Sequence, residues 1–231
     1  MLPPVATGPC FSIRKPATRL YTLGDYVADG IIAPAAAEQL RAAVIRRDNI
    51  LIAGGTSTGK TTLANALLDE IAQTHDRVLI LEDTVELQCR SDDHVGMRTE
   101  PGVSNMADLV RATLRLRPDR IVVGEVRGAE ALDLLKAWGT GHPGGLATVH
   151  AGSAHGALTR LEQLVQEVSV TVPRALIAEA VNVIVFIAGR GRGRRVQEIA
   201  RVVGFDQHGY QLSTELAAYI SSPSPTPGES S

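Results

Sequence analysis

The amino-acid sequence predicts an α/β fold with a mostly parallel central sheet and helices on both faces. Short apolar runs alternate with longer amphipathic runs along most of the chain. Strands that are apolar throughout are typical of parallel sheets that helices cover on both sides. A glycine-rich loop between one apolar run and a helical run indicates the ligand-binding edge, because ligands of such folds bind at the carboxyl ends of the strands.

The individual elements follow from the spacing of apolar residues. The expected helices span residues 34–47, 60–73, 106–116, 129–138 and about 154–167. The expected parallel strands span residues 49–53, 77–81, 120–123, 146–149 and 182–188. Residues 196–205 and 209–212 form an expected antiparallel hairpin at the edge of the sheet.

Composition limits the classes of function. The chain has 231 residues, of which 44% are hydrophobic and 21% charged, and its formal net charge is −2. This is enough chain for one main domain, and the balance of charge gives no general attraction to nucleic acid or to an anionic membrane. Direct nucleic-acid binding is therefore not indicated. The apolar runs are shorter than a membrane span, which predicts a cytoplasmic protein.

A phosphate-binding loop is the strongest single signal. It contains Gly54, Gly55, Thr56, Ser57, Thr58, Gly59, Lys60, Thr61 and Thr62. Glycines let the backbone curve around an anion, so that its N–H groups and the following helix N-terminus point at a phosphate. Lys60 neutralises β- and γ-phosphate charge and the Thr61 hydroxyl can ligate Mg²⁺. The loop predicts binding of ATP or ADP together with Mg²⁺.

Two acidic residues end other predicted strands. Glu125 follows the apolar run from Arg120, with Gly124 where many phosphate-loop proteins have a metal-binding aspartate. Glu82 and Asp83 follow a second apolar run. ATP hydrolysis needs a carboxylate near the metal and a group that orients water. We therefore expect Glu125 and Glu82 to act in catalysis and near the metal.

Two histidines bracket the predicted strand at residues 146–149. His142 precedes this strand and His150 follows it. A lone histidine is more often an ordinary polar residue than a catalytic one, an interpretation that we keep for His75, His94, His155 and His208. His150 would lie at the carboxyl end of its strand, near the expected γ-phosphate position.

Four segments occur in the order of the motifs of the secretion ATPase superfamily. The loop from Gly54 resembles its Walker A motif, and residues 81–87 resemble its Asp box. Residues 116–128 resemble its Walker B motif, and residues 141–151 its His box. The resemblance covers about Phe11 to Leu212 and is greatest for the ATPases of conjugative transfer and type IV secretion of the TrbB type. It implies a RecA-like P-loop NTPase domain.

The resemblance also implies roles for individual residues. Lys60 and Thr61 would bind phosphate and Mg²⁺, Glu82 would lie near the metal, and Glu125 would be the catalytic carboxylate beside the metal. His150 would sense the γ-phosphate. Further nucleotide contacts would come from Arg14, Arg127 and His142. Three further arginines lie around the Walker B segment, namely Arg111, Arg115 and Arg117. Each of them either contacts the nucleotide or is an ordinary ion-paired surface residue.

The same resemblance sets expectations for organisation and partners. Residues 1–18 would be a remnant of an N-terminal domain and its linker, residues 19–212 the ATPase domain, and residues 213–231 a tail that is disordered from about 221. Because that N-terminal domain is largely missing, we expect ATP binding with weak hydrolysis and poor assembly. The full-length protein would form a hexameric ring at the cytoplasmic face of the inner membrane. Its partners would be inner-membrane components of a secretion or conjugation machine, with peripheral membrane contact.

Several alternatives stay open on the sequence. A type IV pilus or type II secretion motor belongs to the same class, whereas a nucleotide-sensing assembly module would turn over little ATP. A P-loop kinase has less support because no lid or acceptor-binding segment is evident. The segment at residues 189–195 holds four arginines in seven residues. It would bind lipid headgroups, nucleic-acid phosphates or a partner subunit, or it forms a solvated hairpin, which we favour.

Overall fold

In a computed structural model, the description covers residue 4, residues 7–11 and residues 19–213. The helices are α1 (Leu23–Ala28), α2 (Pro34–Ile45), α3 (Lys60–Ala72), α4 (Met106–Thr113), α5 (Glu130–Gly139), α6 (Ala154–Gln166) and α7 (Arg174–Ala180). The strands are β1 (Ile50–Gly54), β2 (Val78–Glu82), β3 (His94–Arg98), β4 (Arg120–Val123), β5 (Leu146–His150), β6 (Val183–Ala188), β7 (Arg195–Asp206) and β8 (Gly209–Ser213).

All eight strands form one sheet in the order β3-β2-β4-β5-β1-β6-β7-β8. The first six run parallel, with β1 paired to both β5 and β6. The last two strands add in antiparallel fashion. The expected mostly parallel sheet and its antiparallel hairpin edge are confirmed.

Helices cover both faces of this sheet, as predicted. Successive strand residues point to opposite faces, so Leu51 and Ala53 pack in one core while Ile50 and Ile52 pack in the other. The first core contains apolar side chains of α4, α5, α6 and α7, and the second those of α1, α2 and α3. The five residues of β1 are all buried, which explains their continuous apolar pattern.

Two helices and one strand of the structure were not predicted from the sequence. Helix α1 is only six residues long, and a capping box of Thr22 and Asp25 defines its start. Strand β3 lies at the edge of the sheet, and its side chains alternate between exposed and half-buried, so it lacks an apolar run. Helix α7 is also short. Within the described residues, no helix is both long enough and apolar enough to cross a membrane.

Candidate nucleotide-binding site

The glycine-rich loop connects β1 to α3 at the carboxyl edge of the sheet. Ser57 and Gly59 have positive φ angles of 64° and 95°, and Gly59 is the residue before the first turn of α3. No side chain caps this helix start. The first N–H groups of a helix have no partner within the helix, so they can bind an anion here. Loop residues 55–57 and 59–62 line a pocket of about 550 Å³.

Lys60 lies on the first turn of α3 and is largely buried, at 7% exposure. Its ammonium group donates hydrogen bonds to the carbonyl oxygens of Gly54 and Gly55, both at 3.1 Å. Burial lowers the pKa of Lys60, and Glu125 partly opposes this effect. The cation is thus held at the floor of the pocket by weak neutral acceptors, which phosphate oxygens can replace with stronger charge-assisted bonds.

Glu125 and His150 meet beside Lys60. The Nε2 atom of His150 is 2.8 Å from Oε1 of Glu125, and the Lys60 ammonium nitrogen is 3.3 Å from His150 Nδ1. Glu125 follows β4 and His150 ends β5, which is the strand between β4 and β1. The structure therefore brings together three residues that the sequence assigned to one site, because all three lie at the carboxyl ends of neighbouring parallel strands.

The electrostatics of this cluster define the state of His150. Burial lowers its pKa first, and the positive charge of Lys60 lowers it further, while Glu125 acts in the opposite direction. The imidazole is therefore neutral at pH 7. In the neutral ring His150 Nδ1 can accept from Lys60, whereas Glu125 Oε1 is close to Nε2 without receiving a hydrogen bond. His150 thus links the cation of the loop to the acid of the neighbouring strand.

Glu82 ends β2 and reaches over Gly124. Its Oε1 atom accepts hydrogen bonds from the backbone N–H groups of Glu86 and Leu87, at 2.9 and 2.8 Å. Burial raises the pKa of Glu82, and these two bonds oppose the shift. A Cβ atom added at Gly124 would lie 3.1 Å from the Glu82 side chain. The glycine at the usual aspartate position thus leaves room for Glu82, which lines the same pocket.

Arg127 lies at the rim of the pocket. One guanidinium nitrogen is 2.5 Å from Glu125 Oε2, and the other is 3.3 Å from Asp83. The hydrogen bond to Glu125 is the main reason that the pKa of Arg127 is raised. Arg127 thus holds one oxygen of Glu125, whereas the other, Oε1, is buried near His150 and has no hydrogen-bond partner among the described residues.

The acidic and hydroxyl groups of the pocket fit a magnesium ion that comes with a nucleotide. Thr61, Glu82 and Glu125 all line the pocket and supply oxygen donors. Within the described part of the chain, no group of three His, Cys, Asp or Glu side chains is placed to hold a metal ion. Proteins usually hold Mg²⁺ through one or two side chains together with substrate phosphates and water.

His142 lies at the other edge of the sheet. It precedes β5, and its Nδ1 atom is 3.2 Å from the carbonyl oxygen of Pro118, which precedes β4. About 13 Å separates the two ends of a five-residue strand. The structure therefore does not bring His142 into the pocket that contains Lys60, and its predicted contact with the same nucleotide has no geometric support.

The remaining predicted residues divide into three groups. Arg111 pairs with Asp133 at 2.8 Å, which fits the ion-paired alternative. Arg115 and Arg117 lie near His142 at the amino edge. Arg14 lies outside the described residues, as do most of the expected N-terminal remnant and residues 214–231 of the expected tail.

One residue of the arginine-rich segment lines the pocket although its sequence context does not indicate this. Arg194 lines the pocket and is half-buried, so the favoured interpretation of a solvated hairpin is wrong for this side chain. Arg192 of the same segment is exposed, as that interpretation expects. Only the position of β6 beside β1 brings this hairpin to the loop, and no local sequence signal indicates that neighbourhood.

The chain is similar in sequence to known proteins of one family. A family model described as Type II/IV secretion system protein matches residues 1–190. The conjugal transfer protein TrbB of Rhizobium radiobacter is 50% identical over 222 residues, which cover 95% of this chain and 68% of that protein. The type IV secretion system protein PtlH of Bordetella pertussis is 36% identical over 224 residues, covering 81% of this chain and 66% of PtlH. The chain thus spans about two thirds of the length of these relatives.

Solved structures show the same fold. The VirB11 ATPase of the Brucella suis type IV secretion system, solved with sulphate, has a TM-score of 0.66 and 31% identity. The match covers 81% of this chain and 65% of that one. The pilus retraction motor PilT with bound ADP has a TM-score of 0.62, over 90% of this chain and 57% of PilT. Its identity is 24%, so this second likeness concerns the fold alone.

Proposed function

Because this chain belongs to the Type II/IV secretion system protein family, we propose that it is an ATPase subunit that powers conjugal transfer or type IV secretion. The observation that carries the proposal is the cluster of Lys60, Glu125 and His150 around the phosphate-binding loop. The resemblance to TrbB and VirB11 directs the proposal to conjugation and secretion.

The residues of the pocket divide the chemistry between them. Lys60 would exchange its two carbonyl acceptors for β- and γ-phosphate oxygens, helped by the N–H groups at the start of α3. Mg²⁺, held by Thr61 with Glu82 and Glu125 nearby, would offset phosphate charge. Glu125 would orient the attacking water, and Arg127 would stabilise charge that develops on the γ-phosphate. His150 would report the presence of that phosphate through its contacts with Lys60 and Glu125.

A second candidate function rests on a specific contact. Arg127 pairs with Oε2 of Glu125 at 2.5 Å, and the His150 ring lies 2.8 Å from Oε1. If those contacts persist when ATP binds, Glu125 cannot orient water, and the chain would be a nucleotide-sensing assembly module with little turnover. The two functions differ in whether bound ATP is cleaved.

Single-turnover hydrolysis of Mg-ATP with the variant Glu125→Gln tests the first function. We expect the variant to bind ATP as the wild type does and to cleave it about 10²–10⁴-fold more slowly, the usual range for a lost acid or base. Glu179→Gln is the matched control, because Glu179 is exposed on α7 far along the chain from the loop. Equal cleavage rates for the wild type and Glu125→Gln would contradict the motor function. Tight binding with negligible cleavage in both would favour the sensing module.

The ring belongs to the proposal as well. We propose that the full-length protein forms a hexameric ring, that it works on the cytoplasmic side of the inner membrane, and that residues from a neighbouring subunit or from an N-terminal domain complete the site. ATP turnover measured against protein concentration tests this point. A site shared between subunits should give activity that rises faster than linearly, whereas a strictly linear rise would contradict it.

A further inference from the structure

The arginine-rich hairpin between β6 and β7 contributes Arg194 to the lining of the pocket. One guanidinium nitrogen of Arg190 donates to the carbonyl oxygen of Thr56 at 3.3 Å. The guanidinium of Arg194 lies against the loop, since a Cβ atom added at Gly59 would be 2.8 Å from Arg194 Cζ. The hairpin thus holds one arginine beside the start of α3, where the phosphate-binding N–H groups are.

Arg194 differs from the other cations near the pocket in its partners. Lys60 donates to two carbonyl groups, and Arg127 pairs with Glu125 and Asp83. Within the described part of the chain, Arg194 forms no ion pair, and its buried Nε atom has no hydrogen-bond partner. A guanidinium that is partly removed from water without a partner is unfavourable. An anion bound at this point would supply the missing acceptor.

The order of the strands indicates which part of a nucleotide would lie there. Glu125 and His150 follow β4 and β5 on one side of β1, whereas Arg194 follows β6 on the other side. A γ-phosphate must lie on the Glu125 side if Glu125 orients the attacking water. The rest of the polyphosphate then extends across Lys60 toward Arg194.

We infer that Arg194 binds a phosphate group that ATP and ADP share, from the side of the loop opposite Glu125. This inference rests on the proposed function, because it assumes that the pocket binds a nucleotide. It adds a binding residue supplied by the chain's own hairpin, independent of any neighbouring subunit. Arg190 would hold the hairpin against the loop through its bond to Thr56.

Binding of Mg-ADP and Mg-ATP to three variants of the chain tests this role. Arg194→Gln removes the charge and keeps most of the side chain, and we expect it to weaken both nucleotides by the same factor, about 10–100-fold. Arg194→Lys keeps the charge and should bind both within a few-fold of the wild type. Arg192→Ala is the matched control from the same hairpin, and we expect wild-type affinity because Arg192 is exposed.

The outcomes separate this inference from the function on which it rests. If Arg194→Gln binds ADP as tightly as the wild type, or if the Gln and Lys variants lose the same affinity, a phosphate contact by Arg194 is excluded. If only ATP binding falls, the arginine contacts the γ-phosphate and the assigned side of the loop is wrong. If the wild type fails to bind either nucleotide, or if Lys60→Ala binds as the wild type does, the proposed function fails instead.

Discussion

The two edges of the parallel sheet differ in how fully the protein itself pairs their charged side chains. At the amino edge, Arg120 begins β4 and is only 1% exposed, yet each nitrogen of its guanidinium has a hydrogen-bond partner. It is 2.6 Å from Asp76 and donates to the carbonyl groups of Gly144 and Val44. At the carboxyl edge, Lys60 is hydrogen-bonded only to neutral carbonyl and imidazole groups, and the buried Nε atom of Arg194 has no hydrogen-bond partner among the described residues.

The difference distinguishes structural charges from charges available to a ligand. Arg120 belongs to the Walker B segment, as do the candidate residues Arg117 and Arg127. Its partners show that it instead joins β4 to the segments before β2 and β5. A charged side chain in a functional motif is therefore best judged by whether the protein already satisfies it.

Removing the amino-edge charge should have the largest effect on stability. In Arg120→Met the half-buried Asp76 keeps only its longer ion pair with Arg47, at 3.7 Å, and two carbonyl groups lose their donor, so we expect the free energy of unfolding to fall by about 2–4 kcal/mol. Affinity for Mg-ATP per folded molecule should not change. Urea unfolding and nucleotide titration of the same preparation measure the two quantities. Loss of ATP affinity with unchanged stability would reverse the assignment of the two edges.

A smaller effect concerns the titration of His150 at the carboxyl edge. We expect the pKa of His150 to lie below its ordinary value of about 6.5, to rise in Lys60→Ala and to fall further in Glu125→Gln. The lowered pKa means that the unfolded chain takes up this proton more readily than the folded chain. The contribution of His150 to stability is therefore present above pH 6.5 and is lost as the pH falls through the folded-state pKa.

The imidazole signals of the wild type and both variants, followed by NMR across this pH range, measure the shifts. His155, which is not part of the pocket, provides the internal comparison. If the pKa of His150 shifted in the same direction in both variants, Lys60 and Glu125 would not have opposite electrostatic effects on His150.

The sequence predicted the parts of the site that depend on local pattern. Apolar β1, the glycine loop and α3 are contiguous, so their spacing alone indicates a phosphate-binding turn. Glu82, Glu125 and His150 were predicted to converge because each ends an apolar run, and the carboxyl ends of parallel strands share one edge. This reasoning needed no strand order.

Other features of the site could not be predicted from the sequence, because they depend on the order of the strands in the sheet and on where a residue lies along its strand. The role of Arg194 requires β6 to lie beside β1, which no local pattern encodes. The family resemblance implied a nucleotide contact for His142, but β5 separates it from His150 and places the two histidines at opposite edges of the sheet. Glu82 reaches its position because Gly124 has no side chain to block it. In the sequence, this glycine is only a departure from the usual motif.

Calorimetric titration of Mg-ATP into the wild type, Lys60→Ala and Lys136→Ala tests the central claim most directly. Lys136 is exposed on α5 and serves as the matched control for loss of one lysine. We expect the wild type and Lys136→Ala to bind with equal affinity, and Lys60→Ala to bind at least about 10-fold more weakly, because charge-assisted bonds to phosphate are lost. Equal affinity of all three proteins would contradict the claim that the carboxyl edge of the sheet is the nucleotide site.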